Sequence, residues 1–386
     1  MADACTILVV DDEPDLETLI RQRFRRRIRK KELSFVFARD GVQALTALDE
    51  RPEIELIMTD INMPRMDGLT LLNELKEVRP RVRAVVVSAY GDMRNIRTAM
   101  NRGAFDFVTK PIDFRDLEVT INKTIRHVVL MREALHHRAQ LIALHEELRV
   151  ARSMQMSILP QTFPAMAGSE THAVMTPAQD VGGDFYDVFH LPEGRIGVVM
   201  ADVSGKGVPA ALFMMVSRTL VKGHAVGALK PGALLTRINE LLGEENENGM
   251  FVTLVFGVLD TGTGLFQYAN AGHCSPYLVQ KGRKPRELPL TRGIALGVWP
   301  GVQYQDAEVR LSPGDTIFLY TDGVNEAEGP GKELFENGRL EQTLEANAGK
   351  SPEEINDAVL QAVRDFTGGE HQSDDITCLT LSYRRS

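Results

Sequence analysis

No glycine and no proline lies between Phe114 and Pro160, so this stretch divides the chain into two parts. Apolar residues recur in it every seven positions, at Ile121, Val128, Leu135 and Ile142. The pattern predicts one long, coiled-coil-like helix that pairs with its twin in a homodimer. The alternative is a last domain helix followed by a solvated connector. We therefore expect a domain at residues 1–125, a helical linker at 126–160 and a second domain at 161–386.

Composition and charge exclude several classes of protein. Hydrophobic residues make up 43% of the 386 positions and charged residues 25%, which is typical of a globular protein. The net charge of −9 argues against general nucleic-acid binding and leaves many carboxylates to hold cations. Three cysteines are too few for a disulfide framework. No apolar run approaches about 20 residues, so we expect no membrane span and a cytoplasmic protein.

One local departure from this acidic balance is the run from Arg21 to Lys31, which holds eight basic residues in eleven. A solvated helix face is the simplest interpretation of such a run. Docking onto the acidic remainder of the protein is the alternative.

In the first 110 residues, short apolar runs alternate with amphipathic segments. Strands are predicted at 6–10, 34–38, 54–59, 84–88 and about 105–109, and helices at 15–31, 40–49, 69–78 and 93–102. This alternation predicts a doubly wound parallel α/β sheet, which binds its ligands beyond the carboxyl ends of the strands. The polar residues at that edge are Asp11, Asp12, Asp60, Ser88 and Lys110.

These residue types suit the transfer of a phosphoryl group. Three carboxylates make an oxygen site for Mg²⁺. Asp60 is placed to attack a phosphoryl group, while Lys110 and Ser88 are placed to contact its oxygens. The alternative is that acidic residues simply end the strands.

Four motifs in order resemble a two-component receiver domain over about residues 5–125. They are LVVDDEP (8–14), IMTDINMPRMDG (57–68), VVVSAY (85–90) and FDFVTKPID (105–113). The resemblance implies a flavodoxin-like (βα)₅ domain that a sensor histidine kinase phosphorylates on Asp60.

The resemblance also implies roles for single residues of this domain. One Mg²⁺ is held by Asp12, Asp60 and the backbone carbonyl of Asn62, with Asp11 contacting it through water. Ser88 and Phe107 match the switch pair. Phe107 departs from the more usual tyrosine and has no hydroxyl, so only the rotation of its ring can report phosphorylation.

Beyond Pro160, short strands are bounded by Gly, Pro and Asp. They are predicted at 195–201, 251–259, 265–269, 316–320 and 376–382, with helices at 208–226, 231–243 and near 352–366. This arrangement of short strands and intervening helices predicts an α+β domain with mostly antiparallel sheets.

Four turns of the second domain carry aspartates: VGGDFYD (181–187), ADVSGKG (201–207), FLYTDGV (318–324) and QSDDIT (372–377). Four converging carboxylates balance two divalent cations, whereas without metal they repel one another. Two such ions acidify a water and clamp a phosphoryl oxygen. The alternative is that Asp-Gly pairs only close β-turns.

Together with ANAGHCSP (269–276) and LSPGDTIFLYTDGVNEAE (311–328), these motifs resemble the PPM-type serine/threonine phosphatases. The likeness covers about residues 150–386 and points to the bacterial branch of partner-switching and sporulation phosphatases. It implies an αββα sandwich around two Mn²⁺ or Mg²⁺ ions. The residues implied are Asp202 as the bridge, Asp184 with the Val203 carbonyl at one ion, and Asp322 with Asp374 at the other. Asp375 stands where the wider superfamily often has Asn, as a ligand or as a supporting group.

Two departures from that superfamily concern catalysis. A histidine commonly follows the bridging aspartate, but this chain has Ser204 and Lys206 there, so no general acid is assigned. No arginine that grips phosphate is evident, which leaves that task to the metals. His273 is expected to stabilise a turn rather than to catalyse.

The two resemblances imply a response regulator whose output is phosphatase activity toward a phosphoserine or phosphothreonine protein. The branch implies an anti-sigma-factor antagonist as the substrate. The helical linker is expected to pass the receiver's change to the phosphatase, where helix 208–226 adjusts the metal geometry through an apolar face of Leu212, Phe213, Val216 and Leu220. The rival hypothesis is a non-catalytic adaptor that uses a degenerate phosphatase domain as a phosphorylation-dependent scaffold. A cyclic-nucleotide-making output lacks a supporting Gly-Gly-acidic loop.

Overall fold

The computed structural model describes residues 5–89, 91–160, 162–163, 168–227, 230–244, 246–291 and 293–384. It divides into two compact units, Met1–Ala143 and Leu144–Ser386. Tyr90, the last residue of the VVVSAY motif, lies outside the described residues. Within the described part of the chain, no helix has both the length and the apolar character needed to cross a bilayer.

The first unit is a five-stranded parallel sheet in the order β2-β1-β3-β4-β5. Its strands are β1 Cys5–Val10, β2 Leu33–Ala38, β3 Ile54–Asp60, β4 Arg83–Ala89 and β5 Asp106–Lys110. Its helices are α1 Pro14–Arg23, α2 Arg25–Arg29, α3 Gly41–Glu50, α4 Gly68–Val78 and α5 Met93–Asn101. The strands are apolar on both faces because a separate buried core covers each face. The predicted flavodoxin-like fold is confirmed.

The predicted continuous helix over 15–31 is wrong. It breaks at Phe24, whose ring is buried against Phe35 in the core. The basic run is therefore split between α1 and the short α2. Glu17, Glu118 and Glu32 pair with some of its arginines.

A single helix, α6, runs from Phe114 to Ile158. Leu117 and Ile121 near its start are buried in the core of the first unit. Farther along, Leu135 is 38% exposed and Ile142 is 56% exposed. Among the described residues, these two heptad positions beyond Val128 are thus exposed apolar side chains.

The second unit contains two antiparallel five-stranded sheets, ordered β13-β10-β9-β8-β7 and β12-β11-β14-β15-β6. The strands are β6 Ser169–Thr176, β7 Phe185–Leu191, β8 Arg195–Val203, β9 Val252–Asp260, β10 Leu265–Ala271, β11 Tyr277–Val279, β12 Arg286–Glu287, β13 Ala307–Arg310, β14 Thr316–Tyr320 and β15 Ile376–Tyr383. The helices are α7 Val208–Ala225, α8 Pro231–Gly243, α9 Asp322–Asn325, α10 Glu336–Ala346 and α11 Pro352–Thr367, and Pro330–Lys332 form a 3₁₀ turn.

Alternation along β14 shows how the layers form. Ile317 and Leu319 face the core shared by the two sheets, whereas Phe318 and Tyr320 face α10 and α11. Helices α7 and α8 pack against the other sheet. The predicted αββα sandwich is confirmed.

The expected apolar face of α7 is wrong for Leu212 and Val216, whereas Phe213 and Leu220 pack against the core. The residues that α7 buries are Ala210, Ala211, Met214, Ser217, Val221 and Ala225. Leu212 and Val216 are more than half exposed.

Candidate functional site

The carboxyl edge of the first sheet brings acidic residues together around one lysine. Asp11 follows β1, Asp60 ends β3 and Lys110 ends β5. The Lys110 Nζ lies 2.6 Å from Asp60 Oδ2, 3.1 Å from Asp11 Oδ2 and 3.1 Å from Glu13 Oε1. Carboxylate oxygens of Asp11, Asp12 and Asp60 all lie within 4.8 Å of one another. This all-oxygen set fits the preference of Mg²⁺.

Electrostatics in this cluster reflect burial and pairing. Burial alone lowers the pKa of Lys110, but hydrogen bonds to Asp60, Glu13 and Asp11 outweigh it, so the net pKa is raised. Lys110 therefore stays charged at neutral pH. Burial, with a smaller contribution from the charge of Asp60, raises the pKa of Asp11.

Ser88 and Phe107 differ in their surroundings. The Ser88 hydroxyl is buried, and among the described residues no group hydrogen-bonds to it. An unpartnered buried hydroxyl beside an acidic pocket is suited to donate a hydrogen bond to a phosphoryl oxygen. The Phe107 ring is 37% exposed on the adjacent strand. The Asn62 amide donates a 3.3 Å hydrogen bond to Asp60 Oδ1.

In the second unit, the Asp184 carboxylate is buried just before β7. Its Oδ2 accepts hydrogen bonds from Thr321 Oγ1 at 2.7 Å and Thr377 Oγ1 at 2.5 Å. These threonines lie beside Asp322 and Asp375, on the other sheet. Two hydroxyl donors thus fix a carboxylate from one sheet against the edge of its partner.

The pKa shifts of the aspartates in the second unit show that their side chains lie close together. Burial, followed by the charges of Asp322 and Asp374, raises the pKa of Asp202 to about 7. Burial, followed by Asp202 and Asp375, raises the pKa of Asp184 well above its usual range. Burial and then Asp374 also raise the pKa of Asp322. Clustered carboxylates of this kind are costly without a cation, and their oxygen donors fit Mn²⁺ or Mg²⁺.

Glycines let these loops approach closely. A Cβ on Gly183 would lie 2.8 Å from the carbonyl oxygen of Val203, the backbone atom assigned to one metal. A Cβ on Gly182 would overlap the carboxylate of Asp375, and one on Gly323 would overlap its backbone carbonyl. The Gly-Gly-Asp and Asp-Gly motifs therefore meet a steric requirement of the site.

Gly323→Ala tests this requirement. We expect a loss of about 1–3 kcal/mol in stability, with a parallel loss of metal-dependent activity, because the backbone must shift to admit the methyl group. Gly338→Ala is the matched control, since its Cβ meets nothing within 4 Å. Thermal melts and phosphate release are the measurements. Equal behaviour of the two variants would contradict the close-approach explanation.

Asp375 holds the Asp184 loop from behind. Its Oδ1 accepts the Ala178 amide at 2.8 Å, and its Oδ2 accepts the Gly183 amide at 2.7 Å and the Asp184 amide at 3.4 Å. Both carboxylate oxygens are therefore engaged by backbone donors. This arrangement favours the supporting role over direct ligation.

The residues that follow Asp202 take different positions. Lys206 Nζ lies 2.9 Å from Asp374 Oδ2 and also contacts the Ser373 carbonyl. Ser204 exchanges hydrogen bonds with the backbone of Phe251, its Oγ accepting at 3.0 Å and its amide donating at 2.9 Å. Ser204 thereby anchors the loop, while Lys206 places a positive charge at the carboxylates.

His273 is buried within a turn. Its amide donates to Asn270 Oδ1 at 2.7 Å, and its Nδ1 lies 2.8 Å from Thr253 Oγ1. Burial lowers the pKa of His273 to about 4, so the ring is neutral at pH 7. These contacts favour the turn-stabilising role.

The last turns of α6 reach the Asp184 loop through Gln155. Its side chain is buried, donates to the Gly182 carbonyl at 2.6 Å and accepts the Gly182 amide at 3.1 Å. Gly182 lies two residues before Asp184. A helix that runs on from the first unit thus holds a loop that carries a candidate metal ligand.

Sequence reasoning did not identify Thr321, Thr377 or Gln155. The two threonines stand inside motifs already singled out, so their hydroxyls next to Asp322 and Asp375 were an available signal. Gln155 carried no such signal, because its partner Gly182 lies 27 positions away along the chain.

Two family models match the chain. Residues 192–384 match the model described as Stage II sporulation protein E (SpoIIE), and residues 7–122 match the response regulator receiver domain. The combination implied by the sequence motifs is confirmed.

Several known proteins are similar to parts of this chain. Protein IcfG of Synechocystis sp. is 33% identical over 263 residues, covering 61% of this chain but only 41% of its own length. Phosphoserine phosphatase RsbU of Bacillus subtilis is 27% identical over 274 residues, covering 69% of this chain and 79% of RsbU. The SiaA-PP2C domain of Pseudomonas aeruginosa superposes with a TM-score of 0.55 at 27% identity, covering 63% of this chain and 98% of that domain.

Proposed function

Because the chain belongs to the SpoIIE family and also carries a receiver domain, we propose that it is a response regulator whose output is metal-dependent phosphoprotein phosphatase activity. The observation that carries this proposal is the convergence of Asp184, Asp202, Asp322 and Asp374. The pKa values of Asp184, Asp202 and Asp322 are raised by burial and by nearby carboxylates, which marks a cluster suited to hold cations.

In this proposal the carboxylates divide two divalent ions between them. Asp184 and the Val203 carbonyl hold one ion, Asp322 and Asp374 hold the other, and Asp202 is shared. When bound, the ions supply an acidified water and positive charge for the phosphoryl oxygens. Thr321 and Thr377 orient Asp184 through its Oδ2.

In the receiver, we propose that Asp60 accepts a phosphoryl group from a sensor histidine kinase. An oxygen of the Asp60 carboxylate bonds to phosphorus as the bond to the donor histidine nitrogen breaks, and that nitrogen retains the electron pair. Lys110 already donates a hydrogen bond to Asp60, so it is placed to contact the phosphoryl oxygens. The unpartnered Ser88 hydroxyl is placed to contact them as well. Mg²⁺ held by the neighbouring aspartates supplies further positive charge.

For the substrate, we propose a phosphoserine or phosphothreonine on an anti-sigma-factor antagonist. The support is the partner-switching branch of the family and the likeness to RsbU, which is described as a phosphoserine phosphatase. Removing the phosphate frees the antagonist to sequester an anti-sigma factor, which releases a sigma factor.

We also propose that α6 pairs with its twin in a homodimer and carries the receiver signal. The exposed apolar positions after Val128, including Leu135 and Ile142, supply the surface for pairing. Gln155 supplies the contact with the Asp184 loop. This route replaces the α7 face expected from the sequence, because Leu212 and Val216 do not face the core.

Phosphate release from a phosphoserine peptide, with the full chain and Mn²⁺, tests the proposed activity. Repeating the assay with acetyl phosphate tests its control by the receiver. Manganese-dependent turnover supports the phosphatase. Saturable binding of the phosphopeptide with no turnover at any metal concentration would instead support the adaptor hypothesis.

Gln155→Ala tests the role of α6. It leaves the buried amide and carbonyl of Gly182 without partners, at a cost of about 1–3 kcal/mol. We expect the Mn²⁺ concentration for half-maximal activity to rise by about tenfold, because that cost loosens the Asp184 loop. Gln140→Ala, an exposed position on the same helix, should leave it unchanged. An unchanged metal requirement in Gln155→Ala would contradict this route.

A further inference from the structure

A basic cleft lies at one end of the sheet β12-β11-β14-β15-β6. The candidate metal-binding aspartates lie at the other end of the same sheet. Thr316 opens β14, whereas Asp322 follows that strand. Ser382 lies near the end of β15, whereas Asp374 precedes it. The five residues of β14 span about 14 Å at roughly 3.4 Å per residue. The cleft is therefore separate from the candidate metal centre.

The cleft concentrates positive charge in an acidic unit. Residues 144–386 hold 20 Lys and Arg against 31 Asp and Glu. The six residues 281–286, which lead from β11 into β12, hold four of those 20: Lys281, Arg283, Lys284 and Arg286. Lys281 and Arg283 line the cleft together with Lys350 and Arg384, which come from two other segments. Among the described residues, Arg384 is paired with Glu170, whereas Lys281 and Arg283 form no ion pair.

The floor of the cleft offers a hydroxyl donor. Thr316 Oγ1 and Ser382 Oγ lie 2.8 Å apart on neighbouring strands, and both residues are buried. One hydroxyl donates to the other, so the accepting hydroxyl keeps its own proton for another partner. The nearby Asp315 carboxylate is already engaged by the Gln280 amide at 3.0 Å and the Ser312 amide at 2.8 Å.

The size and composition of the cleft indicate a class of ligand. Its volume is about 690 Å³, which is ample for a small molecule. A phosphoryl group carries about −1.5 to −2 at pH 7, and Lys281, Arg283 and Lys350, which form no ion pair among the described residues, together carry more positive charge than one such group neutralises. Among the described lining residues there is no aromatic ring on which a nucleobase could stack.

We propose that this cleft binds a small oligophosphate through Lys281, Arg283, Lys350 and the Thr316–Ser382 hydroxyl pair. Recognition is of the phosphate chain and needs no metal ion. The proposal does not depend on the phosphatase activity or on the receiver.

Calorimetric titration of the metal-stripped full chain with inorganic tripolyphosphate tests the site. We expect saturable binding of one ligand per chain, at least tenfold tighter than that of monophosphate. The double variant Lys281→Glu/Arg283→Glu should weaken it at least tenfold. The double variant Arg310→Glu/Lys332→Glu, which makes the same charge change elsewhere on the unit, and Asp202→Ala should each retain it.

Several outcomes would overturn the proposal. Full affinity in Lys281→Glu/Arg283→Glu, or equal loss in Arg310→Glu/Lys332→Glu, would show that binding is not at the cleft. Loss in Asp202→Ala would place binding at the aspartates. Adenosine triphosphate binding at least tenfold tighter than tripolyphosphate would show recognition of the nucleoside instead of the phosphate chain.

Discussion

Replacing Asp202 with alanine is expected to lower manganese-dependent phosphate release by about 10³-fold or more. Asp202 is the carboxylate that both ions share in the proposed arrangement, so its loss removes a ligand from each. Metal ions at such sites contribute several kcal/mol of transition-state stabilisation, and about 4 kcal/mol corresponds to 10³-fold in rate. Initial rates on a chromogenic phosphate ester, measured across a range of Mn²⁺ concentrations, give the comparison.

A stability measurement separates loss of metal binding from loss of fold. Burial and the charges of neighbouring carboxylates raise the pKa of both Asp184 and Asp202, so the two ionised side chains oppose folding when no cation is present. Asp202→Asn should therefore raise the melting temperature of the metal-free protein and abolish the further rise on adding Mn²⁺. Asp260→Asn is the control and should keep the metal response. Asp260 ends β9, and its Oδ1 accepts the backbone amides of Gly262 and Thr263 in the turn that follows. Wild-type turnover by Asp202→Ala would show that the activity does not depend on this carboxylate.

Replacing Asp60 with asparagine is expected to abolish phosphoryl transfer from acetyl phosphate to the receiver. It should also abolish the effect of acetyl phosphate on phosphatase rate. Asparagine preserves the size of the side chain but removes the carboxylate nucleophile that Lys110 contacts at 2.6 Å. Phosphoryl incorporation and phosphate release, measured on the same preparation, give both readouts.

Asp67→Asn is the matched control for Asp60→Asn. Asp67 is exposed and caps α4 by accepting the Thr70 amide at 2.7 Å, a role that asparagine can also fill. We expect Asp67→Asn to keep both phosphorylation and its effect. If Asp60→Asn responds to acetyl phosphate as the wild type does, the proposed coupling is wrong.

The parts of the fold that the sequence predicts best are those in which a local pattern has one packing solution. Apolar runs that end in Asp11 and Asp60 can form only buried parallel strands, and their ends necessarily share an edge. Successive apolar side chains of β14 point to opposite faces of the sheet, and both faces are covered by core residues. Spacing alone therefore predicts these elements and the acidic edges that they carry.

The failures occur where several apolar faces compete or where contacts are distant along the chain. Helix α7 has aliphatic residues on most sides, so periodicity could not show that Leu212 and Val216 point outward. The break at Phe24 depends on its packing against Phe35 across the core. The hydrogen bonds between Gln155 and Gly182 join residues 27 positions apart, and no repeat in the sequence relates them.

The most direct test of the central claim is anomalous diffraction from crystals of the full chain soaked in Mn²⁺. We expect two manganese peaks about 4 Å apart in the second unit, with an Asp202 oxygen near both. Asp184 should lie at one peak, and Asp322 and Asp374 at the other. The absence of manganese among these carboxylates, or side chains that turn away from one another around a single weak peak, would contradict the claim.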